Sequence, residues 1–169
     1  GVIMNTWDMK PADVLKNKEL SELISVLGLD ITNPNSVDDM TYEHIATLTD
    51  ADHDGIGHIS PLLIAFFYKF WPRLLLEKKV KITRTPIMIS TKGSSQIKWF
   101  YTYEEANKFK SNKDGWKHRY IKGLGSLTEE EYDTIINKPV YDTVTVDDAG
   151  MFQMMFGKDS QLRKDYMFQ

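Results

Sequence analysis

The sequence contains no cysteine, which excludes disulfide bonds and thiolate metal sites and is typical of proteins kept in a reducing compartment. It also lacks an uninterrupted apolar stretch of the roughly 20 residues that a membrane-spanning helix needs. Positive charge is not in excess, because 21 lysine and arginine residues face 24 aspartate and glutamate residues. This balance excludes a uniformly basic protein that coats nucleic acid, although a local basic face is compatible with it. We therefore expect a cytoplasmic protein without a membrane partner.

The hydrophobic pattern of the 169 residues alternates between short strands and helices. Such alternation predicts an α/β fold with a mainly parallel sheet flanked by helices. A stop signal at Gly28 and a capping box formed by Thr128 and Glu131 mark a helix end and a helix start. The predicted helices cover 12–27, 60–77, 104–110 and a segment after Thr128, and the main predicted strands cover 45–49, 80–85, 87–90 and 140–146.

Alternating aspartates follow a short apolar strand in the stretch "HIATLTDADHDGIGHIS", residues 44–60. The aspartates with the glycine behind them match positions 1, 3, 5 and 6 of a calcium-binding EF-hand loop, Asp50, Asp52, Asp54 and Gly55. Position 12 of such a loop must be a glutamate, and here it is Pro61, which has no carboxylate. The sequence therefore excludes an EF-hand calcium site.

A magnesium site fits the same acidic turn better. Asp50 would lie at the carboxyl end of a buried strand, where α/β sheets build ligand sites, and the period of two would point Asp50 and Asp52 in the same direction. Magnesium takes one or two protein carboxylates and completes its shell with water and phosphate oxygens. The alternative is that these acids only cap the following helix and are solvated.

A second segment, "HRYIKGLGSLTEEE" at residues 118–131, joins a basic strand to a glycine-bracketed turn. Gly123 and Gly125 permit close approach of the backbone to another group. Arg119 and Lys122 are suited to contacts with phosphate. A turn without a function would explain the two glycines equally well. The segment therefore supports a phosphate-binding role only in combination with the acidic turn.

Four stretches in order, "TDADHDG", "LLIAFFY", "RYIKGLGS" and "DSQLRKDYM", resemble the Toprim region of type IIA DNA topoisomerases. These stretches are most similar to the large, gyrase B-like subunit of T4-like bacteriophage enzymes. The resemblance implies a two-metal Mg²⁺ site, with Mn²⁺ able to substitute, in which Asp50 and Asp52 are catalytic ligands. It implies that Asp54 belongs to the same cluster and acts through water or by holding the site.

The resemblance also implies an enzyme that breaks and rejoins duplex DNA during ATP-dependent strand passage. In that family the residues matching Arg119, Lys122, Gly123 and Gly125 lie near the DNA backbone, and Arg119 would stabilise charge at the scissile phosphate. The implied partners are duplex DNA, the ATPase-bearing part of the large subunit and a breakage-rejoining subunit that carries the attacking tyrosine.

The sequence lacks several motifs and segments of the family. The family's "EGDSA"-like glutamate motif, its ATPase domain and its tyrosine-bearing segment do not occur in the sequence. We therefore expect an incomplete Toprim domain over 1–125, without its first strand and with an inserted strand and helix region at about 83–117. A C-terminal α/β tail over 126–169 would dock a subunit. No signal peptide is visible after Gly1, and we expect that the chain has lost what preceded it and is inactive in isolation.

Two further interpretations stay open. Another Toprim enzyme, a nuclease or a primase, would share the acidic turn, but those families lack the "KGLGS" and "LRKDYM" context. An assembly module without a catalytic contribution would use mainly its tail. The spacing between the acidic turn and His58 is one residue longer than in the family, so a helix-start or packing role is favoured for His58. His53 is expected to be solvated.

Overall fold

The computed structural model describes residues 3–50, 59–110 and 115–145, and within these ranges the chain forms two compact units. The first unit comprises residues 3–47, 59–82 and 143–145, and the second comprises 48–50, 83–110 and 115–142. None of the helices in the described ranges is long and apolar enough to cross a bilayer.

Six helices and six strands account for the regular structure in the described ranges. The helices are α1 Pro11–Val14, α2 Lys18–Leu27, α3 Ser60–Phe70, α4 Arg73–Leu76, α5 Tyr103–Lys110 and α6 Glu129–Asn137, with 3₁₀ turns at Pro34–Asp39 and Leu124–Ser126. The strands are β1 Ile45–Thr47, β2 Val80–Thr83, β3 Met88–Lys92, β4 Gln96–Phe100, β5 Lys117–Tyr120 and β6 Tyr141–Thr143.

The helix predicted over 12–27 is divided into α1 and α2. The side chain of Asn17 accepts a hydrogen bond from the Leu20 backbone N–H at 3.0 Å and so starts a new helix. The predicted end at Gly28 is confirmed, since this residue has a φ of 73° and closes α2 in the left-handed region. The apolar period is continuous across both helices, so it does not reveal the break.

The helix predicted over 60–77 also breaks, between α3 and α4. Pro72 lacks the backbone N–H that would continue the hydrogen-bond ladder. The break lets Trp71 lie fully buried, where its indole N–H donates to the Asp30 carbonyl at 2.9 Å and to the Ser36 hydroxyl at 3.1 Å. Aromatic rings of α3 surround Trp71, and that cluster forms the centre of the first unit's core.

The strands form two three-stranded sheets, with orders β1-β2-β6 and β4-β3-β5. The α/β class is confirmed, but the expectation of a mainly parallel sheet needs correction. Parallel pairing occurs between β1 and β2, where Ile45 lies opposite Val80. In the second sheet β3 pairs antiparallel with both neighbours. The physical reason is that residues 93–95 alone join β3 to β4, and a parallel pair requires a crossover of a dozen or more residues.

The second unit is built around β3 and α6. Ile89 of β3 is buried with Leu127 and with Ile135 of α6, and the predicted capping box of Thr128 and Glu131 is present at the start of that helix. Residues on both sides of position 125 therefore share one hydrophobic cluster. The division into a Toprim part over 1–125 and a docking tail over 126–169 stays a prediction.

A bidentate ion pair in the second unit makes stability depend on pH. The Arg84 guanidinium donates to both carboxylate oxygens of Asp142 at 2.7 Å, and this hydrogen bonding lowers the pKa of Asp142 below its usual value. A lowered pKa in the folded state stabilises the fold above the unfolded pKa of about 3.9, and the contribution is lost as the pH falls through the folded pKa. Both side chains are about half exposed, so solvent screens the pair and its contribution to stability is small.

We expect Arg84→Gln to lower the free energy of unfolding slightly at neutral pH and to have a smaller effect at an acid pH below the folded pKa of Asp142. Urea denaturation at both pH values measures the difference. Lys16→Gln is the control, because the ion pair of Lys16 with Asp13 is more exposed and should have no measurable effect. An Arg84→Gln effect of equal size at both pH values would contradict this account.

Candidate functional site

The acidic turn begins where β1 ends, and Asp50 is its described carboxylate. Thr49 and Thr85 follow the parallel strands β1 and β2, and the Thr85 hydroxyl donates to the Thr49 carbonyl at 3.3 Å. This bond ties the backbone beside Asp50 to the segment after β2. Asp50 is half-buried, at the strand end where parallel sheets place ligand-binding groups.

The glycine turn predicted at 123–125 contacts Asp50 directly. The backbone N–H of Leu124 donates to Asp50 Oδ1 at 2.7 Å. A Cβ at Gly123 would lie 3.3 Å from both carboxylate oxygens, whereas a Cβ at Gly125 would meet nothing within 4 Å. The structure therefore brings the two motifs together. Gly123 leaves room for Asp50 because it has no side chain, whereas Gly125 has no such neighbour.

Four further hydrogen bonds shape this turn, and one of them runs from the Leu127 backbone N–H to the Leu124 carbonyl at 3.1 Å. The Ser126 hydroxyl donates to the Gly123 carbonyl at 2.7 Å, and the Ser126 backbone N–H donates to the same oxygen at 3.0 Å. The Tyr132 hydroxyl, which projects from α6, donates to the Leu124 carbonyl. The turn is thus fixed both internally and from the helix behind it.

Arg119 lies at the end of β5 and is engaged by the protein itself. Its guanidinium donates to the Ser126 carbonyl at 2.8 Å and forms an ion pair with Glu131. Glu131 also accepts from the Thr128 backbone N–H at 2.9 Å as part of the capping box. Arg119 therefore connects β5, the glycine turn and the start of α6, while 44% of its side chain stays exposed. Its role toward DNA stays a prediction.

Lys122 lines a surface cavity of about 330 Å³ beside the turn. The lining combines apolar side chains with two exposed tyrosines, Tyr103 and Tyr120, and includes Gly123 and Leu124 from the turn itself. Lys122 is thus an exposed residue on a concave surface that also includes Gly123 and Leu124, the two residues next to Asp50. An exposed cation in such a place is suited to a phosphate contact.

The remaining predicted ligands, Asp52 and Asp54, lie outside the described residues, as do His53 and His58. Across the described ranges, no group of three His, Asp or Glu side chains is placed to hold a metal ion. Asp50 by itself fits a magnesium ligand. Its Oδ1 is oriented by a backbone donor, and its Oδ2 accepts no hydrogen bond from the residues described, which leaves a hard oxygen for a cation.

Sequence reasoning missed Thr85 and Tyr132 as residues that hold the site. Thr85 is the last residue of a predicted strand and stands directly before Pro86, which is a usable signal. The structure shows it buried, and a buried polar group needs a partner. Tyr132 gives no such signal, because a tyrosine on a helix face is typical of core packing.

Three comparisons with known proteins agree with this arrangement. The family model described as the C-terminal associated domain of TOPRIM matches residues 83–169. The DNA topoisomerase small subunit of Enterobacteria phage T4 is 44% identical over 135 residues, which cover 77% of this chain and 81% of that protein. The DNA topoisomerase 2 of Arabidopsis thaliana is 37% identical over 138 residues, 78% of this chain and 9% of that protein.

A solved structure gives the same result. The DNA-binding, cleavage and re-ligation domain of Plasmodium falciparum topoisomerase II has a TM-score of 0.82 and 31% identity, covering 98% of this chain and 24% of that chain. The chain therefore spans most of the T4 protein, whereas it spans about a quarter or less of the A. thaliana and P. falciparum relatives. The resemblance found in the motifs is confirmed: the chain belongs to the type II DNA topoisomerase family and includes the C-terminal associated domain of its Toprim region.

Proposed function

We propose that this chain supplies metal-binding carboxylates to a type II DNA topoisomerase that cleaves and rejoins duplex DNA during ATP-dependent strand passage. The observation that carries the proposal is the contact between Asp50 and the turn at Gly123 and Leu124. Two motifs that lie more than 70 residues apart in the sequence meet there, within the segment that follows β1. Because the carboxyl ends of strands are where α/β proteins bind ligands, the meeting point is suited to chemistry rather than to packing.

Asp50, Asp52 and Asp54 would hold Mg²⁺, with Mn²⁺ able to substitute, in a two-metal site of the assembled enzyme. When bound, the cation would neutralise charge on a DNA phosphate undergoing displacement. The chain's own contribution is orientation: the Leu124 N–H fixes one carboxylate oxygen of Asp50, and the other would be left for the cation. A charge-assisted hydrogen bond of this kind is stronger than one between neutral groups.

Lys122 and Arg119 are the proposed contacts to the DNA backbone. Lys122 is exposed beside the site and has no competing ion pair in the described part of the chain. Arg119 already binds Glu131 and the Ser126 carbonyl, so it would reach a phosphate with its remaining N–H groups or by exchanging partners. The turn residues Gly123 and Gly125 would let the DNA backbone approach closely.

The proposed partners are duplex DNA, the ATPase-bearing part of the large subunit and a tyrosine-bearing breakage-rejoining subunit. The chain is proposed to act in the cytoplasm, in the host cell if it comes from a phage, and to be inactive without these partners. Two carboxylates from one short turn leave most of a magnesium shell to water, so binding to the isolated chain should be weak.

A second candidate function is an assembly module that docks a partner without contributing to catalysis. Exposed apolar side chains after residue 126 favour it: Ile136 is 64% exposed, Val140 41% and Tyr141 36%. Deleting the segment from Ser126 onward would not isolate this role, because Leu127 and Ile135 belong to the core of the second unit. The two functions are better separated by a substitution at the metal site.

Plasmid relaxation with Mg²⁺ and ATP tests both functions. The ATPase-bearing fragment and the tyrosine-bearing subunit are mixed with wild-type chain, with no chain, or with Asp50→Asn. We expect relaxation only with wild-type chain. Equal relaxation without the chain would overturn both functions, and full relaxation with Asp50→Asn would leave only the assembly role.

A further inference from the structure

We propose that Tyr132 is a positioning residue for the Asp50 carboxylate, acting through the backbone of Leu124. The inference rests on the proposed function, in which Asp50 is a cation ligand. Tyr132 touches neither the cation nor the DNA in this account. It determines where the carboxylate lies and therefore how well Asp50 binds a divalent cation.

The first step is the pair of hydrogen bonds at Leu124. The hydroxyl of Tyr132 donates to the Leu124 carbonyl, and the N–H of Leu124 donates to Asp50 Oδ1 at 2.7 Å. These two bonds act on opposite sides of one Cα, so Leu124 cannot rotate without breaking at least one of them. The Leu127 backbone N–H also donates to the Leu124 carbonyl, at 3.1 Å. The Tyr132 hydroxyl therefore acts with it to restrict the peptide unit next to the N–H that holds Asp50.

The second step is the rigidity of the support. Tyr132 lies in the first turns of α6, whose start is fixed by the capping box of Thr128 and Glu131. Its ring packs on the buried cluster that contains Leu127 and Ile135. A side chain locked by packing on a helix holds a binding group more precisely than a loop residue does.

The third step is that Tyr132 adds a side-chain donor to the turn. The turn is otherwise held by Ser126 at the Gly123 carbonyl and by the Leu127 N–H at the Leu124 carbonyl. Gly123 has no side chain that could hold the carboxylate. The Asp50 oxygens lie where they would be 3.3 Å from a Cβ at this position. Within the described ranges, the Leu124 N–H is the group that donates a hydrogen bond to Asp50. The location of Oδ2, the oxygen available to a cation, therefore follows the Leu124 backbone and, through it, Tyr132.

The test uses the full chain and the variant Tyr132→Phe, which keeps the packed ring and removes the hydroxyl. Amide hydrogen exchange at Leu124, followed by NMR, reports the bond to Asp50. We expect exchange to become about fivefold faster, as for the loss of a typical hydrogen bond. Mn²⁺ titration, followed by paramagnetic broadening at Gly123, reports cation binding, and its midpoint should rise on the order of tenfold.

Two controls make the result specific. Tyr42→Phe removes the hydroxyl of a tyrosine that is 52% exposed in the first unit and should change neither measurement. Asp50→Asn keeps an oxygen that can accept from the Leu124 N–H but removes the charge that binds the cation. It should abolish the broadening at Gly123 while Leu124 stays protected.

The outcomes separate this inference from the proposed function. If Tyr132→Phe leaves Leu124 exchange unchanged, or speeds exchange while the Mn²⁺ midpoint stays at the wild-type value, the positioning role is overturned. If Asp50→Asn binds Mn²⁺ like the wild type, the proposed function is overturned instead, because Asp50 is then not a ligand. A rise in both measurements for Tyr132→Phe, with Tyr42→Phe unchanged, supports the positioning role.

Discussion

Gly123→Val is expected to lower plasmid relaxation about 100-fold, whereas Gly125→Val should lower it less than about tenfold, since it can affect only the approach of DNA and not Asp50. A Cβ at Gly123 would lie 3.3 Å from both carboxylate oxygens of Asp50, and the two further methyl groups of valine add to that crowding. The carboxylate must then move away from the Leu124 N–H. A displacement of about 1 Å at a catalytic group can cost 10²-fold in rate, which sets the size of the effect.

Gly125 is the matched control because it lies two residues away in the same turn and a Cβ there would meet nothing within 4 Å. Both variants would be compared in the reconstituted relaxation assay, with circular dichroism to confirm that each is folded. Equal losses at the two positions would show that the turn needs two glycines for its own shape. Equal activity at both would show that Asp50 tolerates displacement and is not a catalytic ligand.

Trp71→Ala should have the largest effect on stability, a loss of about 3–5 kcal/mol in the free energy of unfolding. Trp71 is fully buried at the break between α3 and α4, with the ring of Phe66 5.5 Å away in an edge-on arrangement. Alanine leaves a cavity and removes the indole donor. The Asp30 carbonyl and the Ser36 hydroxyl both lose that donor.

Urea denaturation followed by circular dichroism measures this loss without relying on tryptophan fluorescence. Trp71→Phe separates the two causes, because it keeps most of the ring and removes only the donor, for an expected loss of about 1–3 kcal/mol. Val26→Ala is the surface control, since Val26 is 61% exposed. A Trp71→Ala loss no larger than that of Val26→Ala would show that the first unit does not depend on this core.

Local signals in the sequence were sufficient to predict most elements. The stop at Gly28, the capping box of Thr128 and the helix over 104–110 are all present. The breaks at Asn17 and Pro72 were not predicted, because the apolar period continues across each of them. At Asn17 a side-chain cap starts a new helix, and at Pro72 the missing N–H ends one, although the apolar period continues through both positions.

The candidate site shows a similar limit. Each motif could be predicted from its own residues, since alternating aspartates and paired glycines have a local meaning. The contact of Asp50 with Leu124 could not, because it depends on how segments 74 residues apart come together. The ion pair of Arg119 with Glu131 is equally a consequence of tertiary structure. It shows that Arg119 helps to hold the turn, which its sequence context did not indicate.

The central claim is that Asp50, held by the glycine turn, is a metal ligand for DNA cleavage. DNA cleavage by the reconstituted enzyme, measured across a Mg²⁺ titration with wild-type or Asp50→Asn chain, tests it most directly. We predict that cleavage with Asp50→Asn is lost, or appears only at Mg²⁺ concentrations far above those that wild-type chain needs. Superimposable Mg²⁺ curves for the two chains would contradict the claim.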